Sequence, residues 1–519
     1  MRALLLVLAL VPWAAGCHQR CEEGFISQGG CVNFDLDAGE EPEADAGPPE
    51  DVGPGPSDTG PFDNGTQDGG RDGGAVDLGF TDGGPLPSGG YLLRGQAVLP
   101  MDGQGPYTPG EVWIDGARVG CVGPVGACTA MAGTVPVIET EGVVLPGLVD
   151  AHNHVAYNWL PEWIPGRLYA DSGQWRAAAQ YEAFVQAYTD NKGVAESFCA
   201  MVQWGEIRAL VNGVTTIFGT PQPRTCYRWL VRNAELTSGY NGFASDRVRS
   251  NTLGIDQVSP TEAADLIADM ESGDVAAYMV HLAEGLSTRA HDEYVELTNL
   301  MLLRPQTVII HGTALTATDF AMVGQAGSKL IWSPSSNMAL YGDTTNVQAA
   351  KQAGVSISLA PDWTPSGEDD SLGEVRFAKA LVEGRWPGLF SDQEYVEMVT
   401  SEPAAAMGLA GDVGRLAVGQ FADVLVLDAP GGDPYATVVG SGANNIRLVI
   451  LNGVPSYGDS ALMAQVPGRP AACFAFDACG AARQACWADT PAGAVSPESV
   501  ASVIQSFYPS GPSALFDCN

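Results

Sequence analysis

Positive charge is scarce in this chain. Against 61 aspartates and glutamates stand 25 lysines and arginines, for a formal net charge of −36 and a pI near 4.2. Such a balance opposes contact with phosphate backbones, and no nucleic-acid motif occurs, so nucleic-acid binding is excluded as a main function. Long apolar runs are missing too. The N-terminal stretch Ala3 to Val11 falls well below the ~20 residues that span a bilayer. No C-x-x-C pair occurs, which weakens a zinc knuckle among the 11 cysteines. Histidine is rare, with six in 519 residues, and that scarcity makes their placement informative.

The first residues, MRALLLVLALVPWAAGC, combine an arginine, a short apolar core and small residues before Cys17, as in a cleaved export signal over 1–16. The ending Trp13-Ala14-Ala15-Gly16-Cys17 resembles a bacterial lipobox, which makes Cys17 the expected lipidation site. His18 at the next position favours the outer membrane by the same resemblance. A plain leader with Cys17 free or in a disulfide is the alternative. Ten further cysteines form an even set, which in an exported chain suggests disulfides. Cys21 with Cys31, inside a segment 17–34, and Cys121 with Cys128 are the simplest close pairs, and four more crowd the C-terminal tail, 461–519.

Residues 35–90 are Gly, Pro, Asp and Glu with almost nothing apolar, too little to offset the entropy of ordering. With Arg71 as the sole basic residue, like charges repel, and the segment reads as an extended tether. Calcium binding by its Asp/Gly alternation is the other reading, but no regular period supports it.

The remaining ~430 residues suit a barrel with a satellite domain. Short strands and turns over 91–145 return over 412–460, predicting one small composite β-sandwich built from both flanks. Between them, over 146–411, strands alternate with helical runs such as ESFCAMVQWGEIRALVNG and TEAADLIADMESG. This predicts an α/β fold, a parallel (β/α)8 TIM-type barrel. Strands are expected near Val149, Thr215, Met279, Ile309, Ile331 and Ile357, with the third and fourth in GFASDRVRSNTLG and beyond.

His152, His154, His281, His311 and Asp362 each lie just past a short β-branched segment, where such a barrel gathers its chemistry. Side chains two apart on a strand share a face, so His152 and His154 can grip one ion together. The remaining two, His18 and His291, read as solvated residues. Three imidazoles and a carboxylate give a divalent first-row ion a site with a position left open; zinc is the default, and the ligand types also admit Fe2+ or Mn2+.

PGLVDAHNH, GVTTIFGT, HLAE, IIHG, WSPSSNMALYG, GVSISLAPDW and SEPAAAMGL with GRLAVGQFADVLVLD follow one another in this order. In that sequence they resemble the amidohydrolase superfamily, in the branch containing cytosine, guanine and chlorotriazine deaminases and imidazolonepropionase, over about 90 to 460. The resemblance implies that His152, His154, His281 and Asp362 are metal ligands, that Glu284 is the acid/base, and that His311 polarises water or substrate. Members with two metals use a carboxylated lysine on a middle strand. Lys192 is the only lysine between His154 and His281 and lies in a polar run, so one metal is expected.

Ser333, Ser335 and Asn337 are candidates for orienting substrate or for plain turn chemistry. Trp363, Tyr157 and Trp159 are candidates for an aromatic wall or for packing. The insert NWLPEWIPGRLYADSGQWRAAAQYEAF offers no assignable chemistry. Together these readings imply a lipid-anchored metal-dependent hydrolase of carbon–nitrogen bonds other than peptide bonds, acting on a small molecule by deamination or opening of a cyclic amidine or amide. A metallo-peptidase, a lactonase and a non-catalytic surface binding protein are the rivals.

Overall fold

The computed structural model describes residues 90–219, 230–235, 243, 247–251, 254–470, 472–487, 496–516 and 518, with the backbone of two short strands, Phe25–Ser27 and Gly30–Val32. The chain divides into two units, Met1–Gln67 and Asp68–Asn519. In the first, the two short strands pair antiparallel with Ile26 opposite Cys31. The export signal, Cys17, the Cys21/Cys31 side chains and all but the last residue of the tether lie outside the described residues.

In the second unit, eight parallel strands follow one another: β1 (Leu148–Asp150), β2 (Val214–Ile217), β3 (Arg232–Asn233), β4 (Val248–Asn251), β5 (Ala277–Leu282), β6 (Thr307–His311), β7 (Lys329–Trp332) and β8 (Ile357–Leu359). They form two arcs, β1 to β3 and β4 to β8, each with neighbours in chain order. Past their ends, β1 and β8 are joined by a parallel bridge between Asn153 and Asp362. This is the (β/α)8 barrel that the alternating pattern predicts. Every residue of β5 and β6 is buried, which is why these strands read as unbroken apolar runs rather than alternating ones.

The helices obey local signals. Pro260–Ser272 starts on a capping box between Ser259 and Glu262 and stops at Gly273, whose φ of 86° is the left-handed turn that ends it. Ala195–Val211 is buried almost throughout because a second helix, Pro497–Phe507, covers the side that would otherwise face solvent.

The fourth strand falls in GFASDRVRSNTLG as expected, but the third lies before it. Its two residues, Arg232 and Asn233, carry no apolar run to read. Arg232 is nonetheless buried. It makes a two-pronged ion pair with Asp423, at 2.5 and 3.0 Å, and its guanidinium stacks 3.6 Å over Phe421, tying the barrel to the flanking sheets.

Those sheets enclose a shared core of Leu93, Val112, Ile114, Val144, Val426 and Leu448. One has four strands, built from Arg118–Pro124, Gly110–Asp115, Tyr91–Gly95 and Val137–Glu139. The other has seven, and it draws strands from the Cys-rich C-terminal tail, 461–519. The hairpin Cys473–Ala478 and Ala481–Cys486 pairs onto Val454–Gly458 and widens the sheet. Beyond it, Asn212 Nδ2 donates to the Leu515 carbonyl at 2.8 Å, strapping the C-terminal segment to the barrel. Cys121 is bonded to Cys128, Cys473 to Cys486 and Cys479 to Cys518.

Candidate metal centre and active site

The ends of β1, β5, β6 and β8 bring five expected residues to one point. The donor atoms of His152, His154 and His281 all lie within 4.8 Å of one another, and so do those of His152, His311 and Asp362. His152 Nε2 is 3.1 Å from His281 Nε2 and 3.3 Å from Asp362 Oδ1, and His154 Nε2 is 3.3 Å from the same oxygen. His311 and Asp362 have φ of 71° and 70°, a conformation non-glycine residues seldom adopt, and both sit where it turns the side chain inward from a strand end.

Electrostatics fit a cation. Burial first, and the neighbouring imidazoles second, push His152 well below the ordinary histidine range; burial does the same to His281. Both rings are therefore neutral and offer lone pairs, as metal coordination requires. His152 Nδ1 lies 2.9 Å from Ser333 Oγ, a contact that fixes the ring and leaves Nε2 for the cluster. Asp362 is held on its other oxygen by Ser336 Oγ, which donates to Oδ2 at 2.7 Å. Crowding three imidazole edges around a buried carboxylate without a cation would waste their lone pairs, so the donor set suits a divalent ion.

Glu284 stands beside this cluster, buried, with Oε1 3.9 Å from His311 Nε2. Tyr341 donates to that same oxygen at 2.5 Å, and Arg176 Nη2 lies 3.5 Å from Oε2. A cavity of about 570 Å3 opens onto His281 and Glu284, walled by Arg176, Asp256 and Glu293. Glu293 is pushed up to about 7, chiefly by burial.

The unassigned insert has a place: it covers the barrel mouth. Asp171 bridges to Gly285, Ser172 N donates to the Glu284 carbonyl at 3.2 Å, and Trp163, Trp175, Tyr341 and Trp363 share one aromatic cluster. Sequence reading missed Arg176, Trp175 and Tyr341. Only Tyr341 carried a signal, as the end of WSPSSNMALYG.

The other candidates divide. Trp363 and Tyr157 flank His154, with ring centroids 5.8 and 6.4 Å from its ring. Trp159 turns away and packs on Phe507 and Tyr508. Ser335 is engaged by Glu374, which takes bonds from its backbone and hydroxyl, so it braces the loop after β8. Asn337 donates to Thr313 Oγ1 at 2.9 Å from a fully buried position. His291 pairs with Asp319 at 2.9 Å on the barrel's outer helices rather than standing free in solvent. Lys192 follows the helix Ala179–Asn191, on no barrel strand.

Residues 275–455 match the amidohydrolase family. A 5-methylthioadenosine/S-adenosylhomocysteine deaminase of Symbiobacterium thermophilum is 25% identical over 418 residues, covering 71% of this chain and 93% of the relative. Among solved structures, a zinc-bound adenosine deaminase from Xanthomonas campestris superposes with a TM-score of 0.59 at 14% identity, over 72% of this chain and 96% of its own. A guanine deaminase from Bradyrhizobium japonicum gives 0.54 at 15% identity, over 71% and 99%. Residues 275–455 thus carry an amidohydrolase family domain, and the chain shares the fold of these solved deaminases.

Proposed function

We propose that this protein is a metal-dependent hydrolase of carbon–nitrogen bonds other than peptide bonds, and that it deaminates an aminated heterocycle or opens a cyclic amidine or amide. The observation carrying the reading is the convergence of His152, His154, His281 and Asp362 on one point, with Glu284 alongside but engaged elsewhere. These four residues would hold a single ion, zinc in the first instance. When bound, such an ion supplies Lewis acidity that brings the pKa of water toward neutrality. Glu284 takes a proton from the attacking water and hands it to the leaving nitrogen. His311, whose Nδ1 is buried without a hydrogen-bond partner among the described residues, faces the same space and polarises water or substrate. Trp363 and Tyr157 provide apolar surface for a flat ring.

The deaminase relatives make aminated purines the first substrates to try. Ammonia release should be measured on 5′-methylthioadenosine, S-adenosylhomocysteine, adenosine and guanine, then on hydantoins and lactams for ring opening. Lactone hydrolysis with no turnover of any carbon–nitrogen substrate would move the reaction to ester chemistry.

We further propose an exported outer-membrane lipoprotein anchored through Cys17. The lipobox-like ending supports it, as do the disulfides Cys121–Cys128, Cys473–Cys486 and Cys479–Cys518 among the described residues, suited to an oxidising compartment. Among the described residues no helix is long and apolar enough to cross a membrane.

A further inference from the structure

Tyr341 ends the helix Pro334–Tyr341 after β7, and its hydroxyl is held between two side chains. Trp175 Nε1 donates to it at 2.8 Å, and it donates to Glu284 Oε1 at 2.5 Å. The polarity of this chain follows from its members. An indole N–H can only donate, so it takes a lone pair of the phenol oxygen and leaves the single phenolic proton for the carboxylate. A short O–H···O bond to a carboxylate is among the stronger hydrogen bonds in a protein. Trp175 in turn belongs to the short helix Ser172–Arg176, whose approach to β5 is tight. A Cβ on Gly285 would meet Asp171 Cα at 2.4 Å, and Ser287 Oγ donates to Asp171 Oδ2 at 2.8 Å. The insert thus reaches Glu284 through two aromatic side chains.

We propose that Tyr341 is a positioning residue. Backed by Trp175, it fixes one oxygen of Glu284 so that the carboxylate keeps one orientation toward the cavity. The inference rests on Glu284 as the proton carrier, and it makes the insert part of the catalytic apparatus rather than a cover.

Two measurements on the full-length protein test it. The first needs no turnover: a nitrogen-15 spectrum of the tryptophan indoles, with the Trp175 signal identified by its loss in Trp175→Phe. Tyr341→Phe should move that signal upfield as its acceptor disappears, and Glu284→Gln should move it too, through Tyr341, although Trp175 makes no bond to Glu284. A signal indifferent to either substitution overturns the relay. The second is kinetic, on whichever of the purine amines above releases ammonia. Tyr341→Phe should lower kcat by about 10²-fold, the cost of a misplaced catalytic group, with KM within about twofold. In a Glu284→Gln background the same substitution should cost almost nothing more, because both act through one carboxylate. Losses that multiply in the double variant would show that Tyr341 acts independently and refute the positioning role. If Glu284→Gln alone keeps its turnover, the assignment of Glu284 fails, while the spectrum still decides the relay.

Discussion

Asp362 is carried against His152 by backbone and side chain together: its N–H donates to the His152 carbonyl at 3.2 Å while its Oδ1 lies 3.3 Å from His152 Nε2. The first and last barrel strands therefore meet at the candidate metal centre. The φ of 70° at Asp362 is tolerable in that light, because contacts on both sides hold it.

Glu284 is engaged by Tyr341 and Arg176 and is not needed to complete the donor set. Glu284→Gln should keep fold and metal content while turnover falls by about 10²–10⁴-fold, the usual contribution of a general acid/base. Turnover, metal content and substrate binding measured on one preparation check this. Near-normal turnover would remove Glu284 from the mechanism.

The depressed histidines give a pH prediction for the metal-free protein. Below about 6.5 the unfolded chain takes up protons on His152 and His281 that the folded state refuses, so their contribution to stability falls as pH drops. Asp150 and Glu206, raised by burial to about 7 and about 8, act in the opposite sense: the folded state keeps protons that the unfolded chain releases. Comparison with His281→Asn cancels those shared terms. Between about pH 7 and 5.5 the metal-free wild type should lose more thermal stability than the variant. Identical pH dependence would contradict the buried neutral ring.

Arg232 and Asp423 join barrel and sheets through a buried ion pair. Arg232 also donates to Asn452 at 3.1 Å, so Asp423→Asn should destabilise by at most the about 3–5 kcal/mol of a broken buried pair. Denaturant unfolding of both proteins tests this; a loss under about 1 kcal/mol, the scale of an exposed pair, would make the joint incidental.

Cys17→Ala should leave the protein without acyl mass and shift it from the membrane fraction to soluble exported material. Wild-type protein that is already soluble and unacylated would refute the anchor.

Much of this architecture was legible because it is written in short-range pattern. Buried parallel strands give apolar runs, and His152, His154, His281, His311 and Asp362 stand at the ends of such runs, so the residues that the fold gathers into one cluster could be picked out from the sequence. β3 did not, because Arg232 is buried by an ion pair 191 residues away, a relationship no local pattern carries. The hairpin at Cys473–Cys486 looked like a tail because its partner strand, Val454–Gly458, lay across a presumed boundary. Arg176 and Trp175 were invisible for a similar reason. An insert has no periodicity that says which strand end it will cover.

The most direct test of the account is elemental analysis of purified protein and three variants. One divalent ion per chain is predicted in wild type and in Glu284→Gln, with almost none in His152→Ala or Asp362→Ala. Two tightly held ions per chain, or loss of the metal from Glu284→Gln, would contradict a single ion held by His152, His154, His281 and Asp362 with Glu284 free to carry the proton.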